Sequence, residues 1–429
     1  MPLPSLPRRP VAQRIPAFLR HVGPGVVTGA ADDDPSGIAT YTQAGAQFGT
    51  GVLWTVFLTL PFMVAIQLVS ARIGRQSGLG IAANLRLHTP RAFLLGVVGL
   101  LLAANTINIA ADIAAMGEAL QLVVGGAAHL HAVGFGIATV LLQIFVPYRR
   151  LAPILKWLTL SLFVYVAAAF TVDIPWGRVA RDLVLPRIEI GAAFWTMIVA
   201  VFGTTISPYL FFWQASQEVE ELRLRGQDAQ SDSPSVTRRA VRRMRLDTVV
   251  GMLFSNAIAF FVMLTGALVL HAGGVVDVHT AADAAQALRP LAGDFAFGLF
   301  AAGIIATGLL AVPVLASSAA YAVAEAFGWA EGLEHTWREA KGFYSIIVVA
   351  TVVGTALDFS AIDPMKALYW SAVINGVVSV PIMAAMMVLA GKPAVMGPLT
   401  VRRKTRFLGW GAVVVMAAAV GLMLRDLLR

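Results

Sequence analysis

Apolar runs of membrane-crossing length follow one another along almost the whole chain, separated by short polar connections. Eleven can be marked, at 20–47, 50–72, 92–121, 129–148, 154–173, 192–217, 246–271, 294–327, 342–360, 365–391 and 405–424. A bilayer core takes ~20 predominantly apolar residues of helix. A helix also satisfies its own backbone groups where no water can. The pattern therefore predicts an all-α integral membrane bundle of about 11 transmembrane helices.

Two of these runs are interrupted in a related way. The first holds Ala31-Asp32-Asp33-Asp34-Pro35-Ser36-Gly37, and the sixth holds Thr204-Thr205-Ile206-Ser207-Pro208-Tyr209. A proline removes a backbone donor and disturbs the preceding turn. Freed carbonyls at membrane depth are tolerated where they line a cavity or hold an ion. Breaks five spans apart, in opposite orientation, predict two inverted five-helix repeats, about 20–173 and 192–391, with 405–424 added. Residues 1–19 are then a cytoplasmic tail, and 20–429 a single transmembrane domain.

Composition agrees with this and narrows the partners. The chain is 58% hydrophobic and only 13% charged, against about 25% charged in soluble domains. It has no cysteine, which excludes disulfides and thiolate metal sites. The net charge of +8 could suggest nucleic acid, but its distribution does not. With the N-terminus in the cytoplasm, only Arg178, Arg181, Arg187, Arg289, Lys366, Arg425 and Arg429 fall outside; the other 25 of 32 basic residues fall inside. That is the positive-inside bias, and it places the C-terminus outside. The basic collar is expected to meet anionic lipid at the cytoplasmic face, and no nucleic acid. Met1 to Arg20 is basic and Pro-rich, without the apolar core of a cleaved signal peptide.

Charge within the bilayer is costly and marks binding sites or ion paths. Asp34, beside the Pro-Ser-Gly break, is the first candidate for a direct cation ligand, with the Ala31 carbonyl. Asp32 and Asp33 cannot face the same ion, because helical neighbours lie 100° apart; one is expected to line a vestibule and the other to pair with an arginine. In the sixth run Pro208 leaves the Thr204 carbonyl available, and Ser207 offers a hydroxyl. Asn105, Asn108 and Asp112 share one face of the third helix, either as an ion path or as hydrogen-bonded packing. Asn375 in the tenth run is open to the same two readings. Tyr209 and the aromatics Phe211, Phe212 and Trp213 after it suit a gate or ordinary packing. There is no GxxxxGK[ST] loop and no HExxH, so no nucleotide-driven pump or metalloprotease is indicated.

On these residues the chain resembles the NRAMP family of divalent-metal transporters. Asp34-Pro35-Ser36-Gly37 stands where that family carries Asp-Pro-Gly-Asn, and Ser207-Pro208-Tyr209 stands where it carries Met-Pro-His. Asp112-Ile113-Ala114 matches its acidic position on the third helix. The resemblance implies a leucine-transporter-type fold with metal held between helices one and six, by Asp34, Ala31, Gly37, Thr204 and Ser207. It also implies a bacterial-type inner membrane location. The departures are Gly37 for the family Asn, Ser207 for Met, Tyr209 for His, and Ala115 for a second acid on helix three. Loss of the thioether weakens selection of soft ions. Loss of a ligand suits an ion that keeps part of its water shell, as Mg²⁺ does.

The reading is a carrier that moves Mg²⁺ and Mn²⁺ into the cytoplasm by alternating access, without proton coupling and without a cofactor. Alternatives are a proton-coupled Mn²⁺/Fe²⁺ symporter and a Na⁺- or H⁺-coupled carrier of a small solute. Three consecutive aspartates at the break would repel an anionic solute. An intramembrane Mg²⁺ enzyme would need a second acidic motif with convergent basic residues, which the sequence lacks.

Overall fold

A computed structural model describes residues 24–146, 162–224, 234–359, 363–397 and 401–429. Among these residues there is no strand. The first run forms α1 (Pro24–Asp32) and α2 (Pro35–Phe48), separated at the aspartates. Next come α3 (Trp54–Ser77), the short α4 (Ile81–His88), α5 (Arg91–Val124) and α6 (Ala128–Phe145). Of the predicted fifth run, 154–161 lies outside the described residues; α7 (Phe163–Ala169) falls in the remainder, and α8 (Trp176–Val184) follows.

The sixth run is also two helices, α9 (Ala192–Thr205) and α10 (Pro208–Leu224). The remaining long helices are α11 (Pro234–Thr265), α12 (Ala296–Phe327), α13 (Lys341–Leu357), α14 (Pro364–Ala390) and α15 (Arg403–Leu427). Among the described residues eight continuous or kinked segments are long and apolar enough to cross a membrane, against eleven predicted; Lys341–Leu357 is a shorter apolar helix, and the first and fifth runs lie partly outside the described residues. Helix α10 continues to Leu224 and α11 starts at Pro234, so charged residues extend both helices past the apolar zone.

Both breaks have the same local cause. The residue four after Ala31 is Pro35, and the residue four after Thr204 is Pro208. Neither proline can donate to the carbonyl one turn back. Asp34 caps the restart of α2 with an extended backbone (φ −73°, ψ 170°), its side chain accepting from the Gly37 N–H. An aspartate cap with proline at the first helical position is a strong start signal.

Glycine seams fix the broken first span against α11. A Cβ on Gly29 would lie 2.2 Å from the Gly251 carbonyl oxygen, and one on Gly251 2.2 Å from that of Gly25. A Cβ on Gly45 would lie 2.1 Å from the Met263 carbonyl oxygen. Backbones that approach this closely are typical of helix packing in lipid, where small residues replace a hydrophobic driving force. A third seam, Gly203 against Gly376, locks α9 to α14. The two breaks therefore sit at the centre of the bundle, between α5, α11, α12 and α14.

Candidate metal site

Asp34 is 2% exposed. Its Oδ1 accepts from the Gly37 N–H (2.7 Å) and the Ser36 hydroxyl (2.8 Å), and its Oδ2 accepts from the Asn108 amide (3.0 Å). The Tyr209 hydroxyl also lies beside it, while donating to the Ala31 carbonyl at 2.8 Å. The orphan carbonyl that Pro35 creates in the first span is thus reached by a side chain from the sixth. The second orphan is served locally: the Ser207 hydroxyl bonds the Thr204 carbonyl (2.8 Å) and the Gly203 carbonyl (2.9 Å).

Gly37 is where the two breaks meet. A Cβ there would lie 2.9 Å from Thr204 Oγ1, 3.3 Å from Asp34 Oδ1 and 3.4 Å from the Asp32 carbonyl oxygen. The place left by the missing side chain is bordered by oxygen on three sides. Thr204 Oγ1 is buried without a hydrogen-bond partner. Asp34, Ala31, Gly37, Thr204 and Ser207 thus fall together, and the set offers carboxylate, carbonyl and hydroxyl oxygens. Such donors suit hard divalent cations.

Asp32 and Asp33 are both 1% exposed. Neither pairs with an arginine among the described ion pairs, contrary to the expectation for one of them. Both instead face α11, where the Ser255 hydroxyl contacts Asp32 Oδ2 (2.6 Å) and Asp33 Oδ1 (3.2 Å). The stretch of α11 that the acids face, 247–265, contains no basic residue. Ser255 was not among the candidates; a Ser-Asn pair within an apolar run was the available signal.

On α5 the polar stripe divides. Asn105 donates to the Leu315 carbonyl (2.9 Å), which is packing between helices. Asn108 belongs to the site through Asp34. Asp112 is fully buried, its carboxyl group facing the Ser36 backbone amide. Asn375 is 1% exposed and its amide has no partner on either end. Phe211, Phe212 and Trp213 are fully buried among the helices, so of the aromatic run only Tyr209 reaches the site.

Access differs on the two sides. A cavity of about 240 Å³ opens between α2, α9, α14 and residues 277–279, lined by Ala39, Gln43, Asp277 and Tyr369 among others. It descends to Ala39, two residues past Gly37. Toward the start of α1 the route is closed by buried polar groups on α10. Gln214 accepts from the Thr28 hydroxyl (2.6 Å), and Glu218 pairs with Arg75 (3.5 Å). Ser216 donates to Glu325 (2.9 Å), which also accepts from the Ala83 N–H. Glu220 accepts from the Tyr321 hydroxyl and from the Leu333 N–H (2.7 Å). These acids follow an aromatic stretch without any distinguishing spacing.

Two discontinuous helices meeting at mid-bundle, open to one side and closed on the other, are the architecture of the leucine-transporter-type fold. The chain belongs to the Nramp family, described as natural resistance-associated macrophage protein-like, which it matches over residues 25–426. It is 26% identical over 422 residues to the divalent metal cation transporter MntH of Yersinia pestis (strain Pestoides F), covering 95% of each chain. A mutant of the Eremococcus coleocola manganese transporter superposes with a TM-score of 0.75 at 18% identity, covering 95% of this chain and 88% of that one. Mhp1, a nucleobase-cation-symport-1 family transporter, superposes with a TM-score of 0.54 at 15% identity, over 94% and 93% of the two chains. The relatives are named as transporters, not enzymes.

Proposed function

We propose that this protein carries divalent metal cations across a bacterial-type inner membrane, with Mg²⁺ and Mn²⁺ as its substrates. The observation that carries the reading is the meeting of both breaks beside the Asp34 carboxylate, with Gly37 against Thr204. The names of the relatives support the cargo class. In this reading the ion enters through the cavity above Ala39 and reaches Asp34 while keeping part of its water shell. The Ala31 and Thr204 carbonyls and the Ser207 hydroxyl share the remaining coordination. Each carbonyl has a second lone pair, so the bonds from Tyr209 and Ser207 do not preclude this.

Release requires α10 and α1 to part from α3 and α12, which breaks the contacts of Ser216, Glu218 and Glu220. Asp32 and Asp33, on the α1 side of the break, would line the exit with Ser255. The orientation of the basic collar makes that exit cytoplasmic. An inside-negative potential contributes about 4.6 kcal/mol per 100 mV for a doubly charged ion, twice the single-charge value. Uncoupled uptake is therefore feasible, and it suits the absence of an imidazole at position 209 and of an acid at 115.

One observation favours proton coupling as a second reading. Asp112 is a fully buried carboxyl group near Asp34, with the Ser36 backbone amide beside it. Flux of Mg²⁺, Mn²⁺ and Ca²⁺ into proteoliposomes, with internal pH recorded, separates the two. The uncoupled reading expects metal entry without acidification. Proton movement in step with metal would establish the symporter instead.

A further inference from the structure

The two oxygens of Asp34 are not equivalent. Oδ1 accepts from both the Gly37 N–H (2.7 Å) and the Ser36 hydroxyl (2.8 Å), which occupies its two lone pairs. Oδ2 has the Asn108 amide nitrogen at 3.0 Å. The Tyr209 hydroxyl also lies beside the carboxylate, but its one proton goes to the Ala31 carbonyl. A cation that binds Asp34 directly therefore comes to Oδ2, and meets Asn108 there.

Asn108 is fully buried on α5. Its own Oδ1 has no hydrogen-bond partner among the described residues, a costly state for a buried amide oxygen. Its place is set independently of Asp34. Three residues earlier on the same helix, Asn105 donates to the Leu315 carbonyl at 2.9 Å and fixes α5 against α12. Asn108 is thus presented to the site by packed helices rather than drawn in by the carboxylate.

Turning the amide over exchanges Nδ2 and Oδ1. The oxygen then stands where the nitrogen stood, 3.0 Å from Asp34 Oδ2. In an octahedral shell with metal–oxygen distances of about 2.1 Å, neighbouring ligand oxygens are about 3.0 Å apart. The two oxygens then match one edge of the coordination shell of Mg²⁺. A cation at Oδ2 repels the amide N–H groups and attracts the amide oxygen, so the ion itself drives the turn. Oδ1 has no donor to lose, and the bond that Nδ2 gives up to Asp34 is replaced by the ion.

We propose that Asn108 is a direct ligand of the transported ion, through a side-chain amide that turns over when the ion reaches Asp34. The cargo is then held from three helices, α2, α9 and α5, with a neutral, hard oxygen in place of one water that the ion would otherwise keep. The inference rests on the reading of Asp34 as a metal ligand and adds a donor to that site.

The test is electron–nuclear double resonance of Mn²⁺ bound to the full-length protein in detergent, with asparagine labelled with carbon-13 at the side-chain carbonyl. A ligating amide places that carbon about 3 Å from the ion. An amide that only donates to Asp34 leaves it beyond about 4 Å, with a dipolar coupling smaller by about twofold or more. The unmodified protein should show the carbon at about 3 Å. Asn108→Ser should lose that signal and bind Mn²⁺ about tenfold more weakly, and a melting curve in detergent verifies its folding. A carbon seen only at the longer distance in the unmodified protein would overturn the inference while leaving Asp34 as a ligand, and that measurement needs no variant. A short-distance carbon that persists in Asn108→Ser would also overturn it, because another asparagine would then be the ligand. Failure of the unmodified protein to bind Mn²⁺ would overturn the proposed function itself, and this inference with it.

Discussion

The Tyr209 hydroxyl donates to the Ala31 carbonyl at 2.8 Å, joining the second half of the sixth span to the first half of the first. The acceptor is the carbonyl that Pro35 leaves without a helical donor. Each half-helix of the site is therefore held by the other span as well as by its own turn. Substrate would compete with this bond for the same oxygen, or share it.

Asp34 has two duties, capping α2 and presenting charge, and they can be separated. Asp34→Asn keeps an acceptor for the Gly37 N–H and removes the negative charge. The expected outcome is loss of Mn²⁺ and Mg²⁺ binding by calorimetry, at least a hundredfold, with little change in melting temperature. Asp34→Ala should lose binding and also destabilise the protein by about 1 kcal/mol, the usual cost of removing a cap. Retained metal binding in Asp34→Asn would remove the carboxylate from the ligand set.

Ser207→Met restores the thioether that the resembling family carries at this place. It removes a hydroxyl bonded to two carbonyls and supplies a soft donor. The ratio of Cd²⁺ to Mg²⁺ transport should rise by about tenfold or more, a gain on the order of 1.4 kcal/mol in relative affinity. An unchanged ratio would count against position 207 as a ligand.

The glycine seam between α1 and α11 predicts a contrast within the same residue type. Gly29→Ala places a methyl group against the Gly251 backbone, where no side chain can yield. About 1–3 kcal/mol of destabilisation is expected from such overpacking. Gly96 and Gly99 on α5 have nothing within 4 Å of a built Cβ. Alanine there should be neutral, or stabilising by up to about 1 kcal/mol through helix propensity. Thermal unfolding in detergent measures all three.

The latch on α10 can be loosened without touching the metal site. Tyr321→Phe removes the hydroxyl that bonds Glu220 and leaves the Leu333 N–H contact in place. The closed α1 side should then open more often. Because the chain has no cysteine, one introduced at Ala30 can report this by its rate of modification with a membrane-impermeant thiol reagent. Several-fold faster labelling from the α1 side is expected. Identical rates would mean that Glu220 and Tyr321 do not restrain opening.

The same latch should respond to pH through Glu331, in the segment between α12 and α13. Burial pushes its carboxyl up from 4.5 to about 7; Arg223 and Arg86 oppose the shift, and Glu220 adds to it. A carboxyl that holds its proton more tightly when folded contributes stability at low pH. That contribution declines as pH rises from 4.5 to about 7 and is absent above. Proteolysis or hydrogen exchange at 328–340 should accordingly be faster at pH 8 than at pH 6, after correction for intrinsic rates. Glu331→Gln should flatten the difference.

Much of this was legible in the sequence, and the parts that were not share a cause. The spans, the paired breaks and the gathering of Asp34, Gly37, Thr204 and Ser207 follow from apolar length and from two prolines. These are local signals, and the inverted repeat carries them to the same depth. Ser255 under Asp32 and Asp33, and Tyr209 on Ala31, depend on which face of one helix meets another. Asp112 and Asn108 were placed on one stripe, but only packing shows that Asn108 reaches Asp34 while Asn105 turns to Leu315. The α10 latch was hidden for a further reason. Its glutamates look like the solvated continuation of a helix, and only the tertiary fold buries them.

Since Gly29 and Gly45 press on one partner helix from opposite sides of the aspartates, α11 acts as a common rail for both pieces of the first span. Neither piece can swing outward without lifting off its own seam, and lifting one leaves the other seated. Ser255 lies between the seams, touching the acids at the joint. A carrier built this way would open toward one compartment at a time because of backbone contact alone, even when its cargo site is vacant.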